Sequence, residues 1–505
     1  AELNKIRIES QRRVYQCVLY CLQHDCEVHA VDRCGFTALH YAIQNDAGEE
    51  TTELLLNNKI SVDQRIREGV TPLLFALEAG NLQAAIQLIE KGANIQVVDQ
   101  EGRNALHCAV QGKSLAGILY CMDHGINIFA TDNQGLTALH YAARNDSVEI
   151  IEQLALFGLG IDSQNLSGLT PLMYALRFGN YEVARRLLKL GARVDIESTN
   201  LVNIAARSSS LECIELSFAV GGMLDHVLEE QDSTSLHWAA SVGNLTCVKL
   251  LLSKIPPSEL TKYVNSKNTQ GVTPLMTALA QGHIAVAFEL VKVGGRMIDE
   301  TKHQQTTLHS YCINNLIFEP YLRLCKFYEE INPKIGVDEF KNFQAKTSLG
   351  ESCLTLASAN NAVAKILPLY QRGLKFIETD RNHLNPLVVS ISRGHYQLAQ
   401  RLIDQGAKID KQLADREKII LSAADAASVN CIDFCLKLGC STAVANQQGR
   451  GVLHFAAKND LHTIIERLYT LNNDIDAKDS DGCTPLMIAL RNGSYNFVYI
   501  VFPCS

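Results

Sequence analysis

Six histidines, His40, His107, His140, His237, His309 and His454, each follow a leucine in a Leu-His pair. An imidazole titrates near neutral pH and in its neutral form ligates metals, so proton transfer or metal binding is the first chemistry to consider. Either needs convergent partners: a nucleophile beside the base, or several ligands around one ion. No fixed Ser, Asp or Cys accompanies the six histidines, so their recurrence points to a structural slot and away from catalysis. Sixteen cysteines raise zinc or disulfides as a second possibility, yet no Cys-x-x-Cys pair occurs. Cys17 with Cys21, and Cys431 with Cys435, lie four apart, which places each pair on one helix face. Cysteine there behaves as a small buried apolar residue, so reduced core thiols and a reducing compartment are expected.

The elements that hold these histidines recur. GLTALHYAARND at Gly135 has counterparts in GFTALHYAIQND at Gly35, GRNALHCAVQGK at Gly102, DSTSLHWAASVG at Asp232 and GRGVLHFAAKND at Gly449. A second type interleaves: GVTPLLFALEAGN at Gly69, GLTPLMYALRFGN at Gly168, GVTPLMTALAQGH at Gly271 and GCTPLMIALRNGS at Gly482. Aligned on the position of Gly135, fourteen repeats begin at 35, 69, 102, 135, 168, 198, 232, 271, 304, 350, 383, 416, 449 and 482. Most intervals are 33 residues.

Each repeat reads as two short helices. Thr170 then Pro171 start the first, because a proline at the first helical position loses no hydrogen bond. Leu172, Ala175 and Leu176 give it an apolar face, and Gly179 ends it. Asn180 is suited to cap the second helix, whose stripe is Val183, Ala184, Leu187 and Leu188, and Gly191 closes it. A single helix pair cannot bury both stripes, so neighbours must stack. Where other repeats have the turn glycine, Asp46, Asp146, Asn315, Asn361 and Asp460 stand, residues that tolerate a left-handed backbone. Asp146 and Glu149 also have the spacing of a capping box.

A period of 33 with Gly-x-Thr-Pro-Leu-x-x-Ala and a later Leu-Leu-x-x-Gly-Ala resembles the ankyrin repeat; Gly168 to Asp195 is the fullest match. The resemblance implies an all-α ankyrin-repeat solenoid, helix-turn-helix units stacked in one array, with short β-hairpin tips. It also makes the histidine slot structural, with the imidazole bonding the turn backbone of its own or the adjoining repeat. The lone Trp238 follows that slot, in a packing position.

The chain then divides into a partial N-terminal repeat at 1–34, repeats one to eight at 35–303, repeat nine at 304–349 and repeats ten to fourteen at 350–505. Extra residues are expected near 254–263, after Pro256-Pro257, and at 318–346, an aromatic-rich stretch. The latter either docks a partner or fills a gap in the stack. The Pro-Leu type with a glycine turn returns every third repeat, a pattern that duplication of three-repeat blocks explains most simply and a periodic partner would also explain. No initiator methionine is present, so a piece of a longer protein is expected.

A net charge of −8 and no long Lys/Arg cluster give no footprint for nucleic acid. No apolar run reaches membrane-spanning length. The expectation is a cytoplasmic protein that needs no cofactor or metal, is not an enzyme, and binds one or more proteins or peptides. Three roles follow: a scaffold or adaptor; a regulatory or targeting region of a larger enzyme, channel or pathogen effector; or an architectural element of a cytoskeletal or ciliary assembly. The family binds partners through hairpin tips and first-helix ends, which here carry Asn133, Gln134, Leu136, Arg144 and Asn145 in repeat four. Leu166, Ser167, Leu169, Arg177 and Phe178 follow in repeat five.

Overall fold

A computed structural model of the chain describes residues 2–23 (2–10 as backbone only), 30–32, 35–45, 47–58, 60–66, 68–194, 201–208, 210–224, 233–297, 299–314, 319–332, 345–371, 374, 380, 384–407, 419–464, 468, 471, 474–492, 494 and 496. Of the expected features, Asp46, Asn315, Phe318, Phe340 and Phe343 lie outside the described residues. The chain forms two compact units, residues 1–228 and 229–505.

The first unit holds α1 (Glu2–Gln23), α2 (Ala38–Gln44), α3 (Glu49–Asn57), α4 (Pro72–Glu78), α5 (Leu82–Glu90), α6 (Ala105–Gln111), α7 (Leu115–Asp123), α8 (Ala138–Arg144), α9 (Val148–Leu156), α10 (Pro171–Phe178), α11 (Tyr181–Lys189), α12 (Leu201–Ala206) and α13 (Leu211–Ala219). Even-numbered helices are the first helices of successive repeats, and each packs on the next from α2 to α12. The core lies between them and the second helices: Leu139, Ala142 and Ala143 of α8 and Ile151 and Leu154 of α9 are fully buried. Alanines at the contact let backbones approach, which is why seven- and eight-residue helices suffice here.

In the second unit, α14 (Ser235–Val242), α15 (Leu245–Ser253), α17 (Pro274–Gln281) and α18 (Ile284–Lys292) repeat the pattern, and an extra helix, α16 (Pro257–Val264), follows Pro256. After α19 (Thr307–Cys312) comes α20 (Glu319–Ile331), which packs on α18. It buries Tyr321, Leu324, Cys325 and Tyr328. Within the stretch 318–346, residues 319–331 thus take the place of a second helix. The remaining described helices run from Cys353–Ala359 to Pro485–Asn492 in the same alternation.

The hairpin tips appear among the described residues as isolated antiparallel bridges, Val98 with Asn104, Glu300 with Thr306 and Ala445 with Gly451. At the turn between helices, Asp146, Asn361 and Asp460 have φ of 55°, 54° and 52°, the left-handed conformation that Gly179 adopts at 79°. The capping box expected of Asp146 and Glu149 does not form. A left-handed residue cannot also be the extended N-cap, and Ser147 takes that position with Glu149 in the first turn. Cys431 and Cys435 are buried as expected, but Cys17 and Cys21 are exposed. Helix α1 packs on α3, and Gln11, Tyr15, Val18 and Leu22 on one side of it are half-buried while the two cysteines are exposed.

Candidate protein-binding site

Most described tips are built around an Asx residue, with Thr301 and Thr347 in the same role at two others. Asp132 Oδ1 accepts from the amides of Gln134 and Leu136, both at 2.8 Å, and Gly135 turns the chain at φ 78°. Tips then join one another: Asn133 N donates to Glu101 O at 2.8 Å and Leu166 N donates to Gln134 O at 3.0 Å. A Cβ at Gly135 would lie 2.9 Å from Leu166 N, so the glycine meets both a backbone and a packing demand.

The histidine slot is a buried joint. His140 Nδ1 accepts from Thr137 N at 3.2 Å, closing a capping box, and its Nε2 donates to Leu169 O of the next repeat at 3.0 Å. His107, His237 and His454 make the same reach, to Leu136 O, Val272 O and Cys483 O. Burial lowers the pKa of His140 and His107, and takes those of His40, His237 and His309 down to about 4. His107, His140 and His237 commit both ring nitrogens to backbone groups, and a neutral imidazole held in that way is not poised for proton transfer. Among the described residues no three His, Cys, Asp or Glu side chains converge to hold a metal ion.

Of the residues placed at the groove by sequence, Arg144 and Phe178 come together. The Arg144 guanidinium lies 5.6 Å from the Phe178 ring centroid, and Phe178, 46% exposed, leans on Tyr174 at 6.0 Å. Tyr174 is fixed from below by His140, edge-on at 5.3 Å, and by Asn165 at 3.3 Å. Among the described residues Arg177 pairs with no carboxylate, and its charge, after burial, depresses the pKa of Arg207 on the following repeat. Gln134 and Leu166 are exposed, Leu166 at 81%, and Leu169 is half-buried with its carbonyl taken by His140.

Four residues carry structural roles that the sequence did not suggest. Leu136 is buried at 6% exposure under the tip, so its side chain is withdrawn from any partner. Asn133 Nδ2 donates to Gln100 O at 2.8 Å, tying two tips. Asn145 Nδ2 reaches back to Val110 O at 3.3 Å, on the last turn of α6. Asn180 does the same more closely, donating to Ala143 O at 2.7 Å and Arg144 O at 2.9 Å, and makes no cap bond to its own helix. These asparagines satisfy the orphan carbonyls at the end of the preceding first helix.

Sequence reading also missed an acidic cleft in repeats two and three. Arg103 Nε bonds Asp99 at 2.6 Å and lies 3.3 Å from Glu101, and Nη1 lies 3.3 Å from Glu78. Beside it Phe36, Ile66, Val70, Phe75, Glu68 and Glu78 line a cleft of about 400 Å³. Its signal was available: the slot nine residues after each marker runs Gln44, Glu78, Gln111, Arg144, Arg177 and Arg207.

Helix pairs, joined tips and groove all belong to one pattern, and comparison with known proteins agrees. Models of ankyrin repeats in three copies match residues 48–132, 88–165, 118–200, 236–334 and 420–504, and a model of many copies matches 10–49. The chain belongs to the ankyrin-repeat family, whose repeats generally mediate protein–protein interaction. It is 31% identical over 158 residues to a putative ankyrin repeat protein, FPV031, of Fowlpox virus (strain NVSL), covering 30% of this chain and 46% of that protein. It is 23% identical over 262 residues to the ankyrin repeat and KH domain-containing protein mask-1 of Caenorhabditis elegans, covering 52% of this chain and 9% of that one. SMC5-SMC6 complex localization factor protein 1 of Bos taurus is 25% identical over 197 residues, 39% of this chain and 18% of its own length. The chain thus spans less than half the length of each of these relatives. The human ASB11 ankyrin repeat domain covers 44% of the chain at 25% identity and a TM-score of 0.37. Among the described residues no helix is long and apolar enough to cross a membrane.

Proposed function

We propose that this chain is a protein-binding scaffold or adaptor of the cytoplasm, without catalytic turnover, and that its partner docks on the groove of repeats four and five. The observation that carries the reading is the pair formed by Arg144 and Phe178 at 5.6 Å beside Arg177, which pairs with no described carboxylate. An exposed aromatic braced by its own repeat and flanked by arginines has the composition of an interface anchor. Asn133, Asn145 and Leu136 then serve as the frame that holds the anchor, while Gln134, Leu166 and Leu169 border it.

A second reading, that the array targets or regulates a larger protein, draws support from relatives much longer than the matched segment. It uses the same groove.

The test compares partner capture from a cell lysate by the wild-type chain and by Arg177→Glu with Phe178→Ala. Proteins held by the wild type are expected to be lost from the double variant while its circular dichroism is unchanged. Equal capture by both moves the site elsewhere on the array.

A further inference from the structure

The charge of the groove changes sign along the first compact unit. In repeats two and three Glu68, Glu78 and Glu101 face the cleft, and Arg103 is the one cation among its described lining residues, already shared by Asp99, Glu78 and Glu101. In repeats four to six the corresponding slot holds Arg144, Arg177 and Arg207 in succession. Beyond the effect of burial, Arg177 is near enough to Arg207 to lower its pKa, and both Arg144 and Arg177 act on the Tyr174 hydroxyl. A cation at a helix C-terminus gains from the helix dipole, which accounts for any one of these arginines. It does not account for Arg144 and Arg177 standing on adjoining repeats of a chain of net charge −8, because each repels the other and neither is paired with a described carboxylate.

From this polarity, and resting on the reading of the groove as a docking surface, we infer that the partner is an extended, bipolar peptide segment. Its acidic side chains, aspartate or glutamate, lie over Arg144 and Arg177, an apolar residue packs on Phe178, and a lysine or arginine enters the cleft edged by Glu68, Glu78 and Glu101. First helices pack about 10 Å apart, so repeats two to five span roughly 30 Å. At about 3.3 Å per residue, some nine residues of extended chain connect the two ends. Guanidinium groups recognise carboxylates by paired hydrogen bonds, and the opposite charge at the far end fixes the direction of the chain in the groove.

The test is selection of random twelve-residue peptides displayed on phage against the full chain, followed by affinity measurement of the enriched peptides. Enriched sequences are expected to carry two or more acidic residues beside an aromatic or aliphatic one, with a basic residue toward the other end, always in the same order. Arg144→Glu with Arg177→Glu is expected to weaken them at least tenfold with the fold intact, and replacing the peptide's acidic residues by lysine is expected to recover binding to that variant. Peptides that lose binding in Arg177→Glu with Phe178→Ala yet lack the acidic end would overturn the inference and leave the docking groove standing. Peptides insensitive to both double variants, or no enrichment at all, would overturn the groove itself and the inference with it. Binding only after a phosphoserine replaces the carboxylates would make phosphate the recognised group and reject the acidic side chain.

Discussion

The Nε2 proton of His140 points at the carbonyl oxygen of Leu169, 3.0 Å away and one repeat further along the chain. The bond is possible only because Nδ1 is already an acceptor for the Thr137 amide, which fixes the tautomer. Removing the imidazole, as in His140→Ala, leaves a part-buried donor and a part-buried acceptor without partners. A loss of about 2 kcal/mol or more in unfolding free energy is expected, since each orphaned group costs about 1–3 kcal/mol. Urea denaturation measures it, and a loss below about 0.5 kcal/mol, the level of a surface substitution, would deny the joint its role.

Acid should expose the same slot. Burial brings His40, His237 and His309 down to about 4, below the value near 6.5 expected when unfolded. Between those values the unfolded chain binds protons that the folded chain refuses, so stability is full above 6.5 and falls as pH falls toward 4. The urea midpoint is expected to be level from pH 8 to 7 and to decline from 6.5 to 5, before ordinary carboxylates titrate. A flat midpoint across that window would contradict the neutral, buried state of these imidazoles.

Much of this was legible because the sequence states it many times. The 33-residue period, the Thr-Pro helix start and the left-handed residue at the inter-helix turn each recur, so one reading of Gly179 or Asp146 serves for all. What was not legible is the direction of individual side chains. Leu136 and Leu169 occupy the same register, yet one is buried and the other half-exposed, a difference that the repeat pattern does not encode. Asn145 and Asn180 stand at turns where a forward cap and a backward cap look alike in sequence. Cys17 and Cys21 share a face, and only the position of α3 reveals that it is not the packed one.

Lys365 is a departure of another kind. Wholly buried, it donates from Nζ to the carbonyl of Tyr311, to Asn314 O at 2.8 Å and to Asn314 Oδ1 at 2.7 Å, with the Tyr311 ring centroid 3.9 Å away. Like the asparagines elsewhere, it serves the carbonyls at the end of a first helix, α19. Desolvation lowers its pKa to about 8, against an ordinary value of 10.5. As pH rises from 8 to 10.5 the folded chain has released this proton while the unfolded chain still holds it, so stability gains with pH across that window. The difference between wild type and Lys365→Met is therefore expected to move in favour of wild type over that range. A difference independent of pH would mean that the ammonium titrates normally.

Asn180 provides the sharpest contrast between a forward and a backward cap. If its side chain capped α11, Asn180→Asp would be neutral or stabilising, because aspartate is as good an N-cap as asparagine and suits the positive end of the helix dipole. Instead Nδ2 donates to Ala143 O at 2.7 Å and Arg144 O at 2.9 Å, and no bond to the amides of α11 is made. Aspartate has no hydrogen to give and would set a negative charge against the carbonyl end of α8. Asn180→Asp is thus expected to destabilise by about 2 kcal/mol, two lost bonds of about 1 kcal/mol each, and to do so more than Asn180→Ala. Lowering the pH to 4 is expected to shrink the gap between the two variants, since a protonated carboxyl regains one donor. An aspartate variant as stable as wild type at pH 7 would return Asn180 to the role of an ordinary N-cap, and with it would go the tie between repeats four and five on which the proposed groove is built.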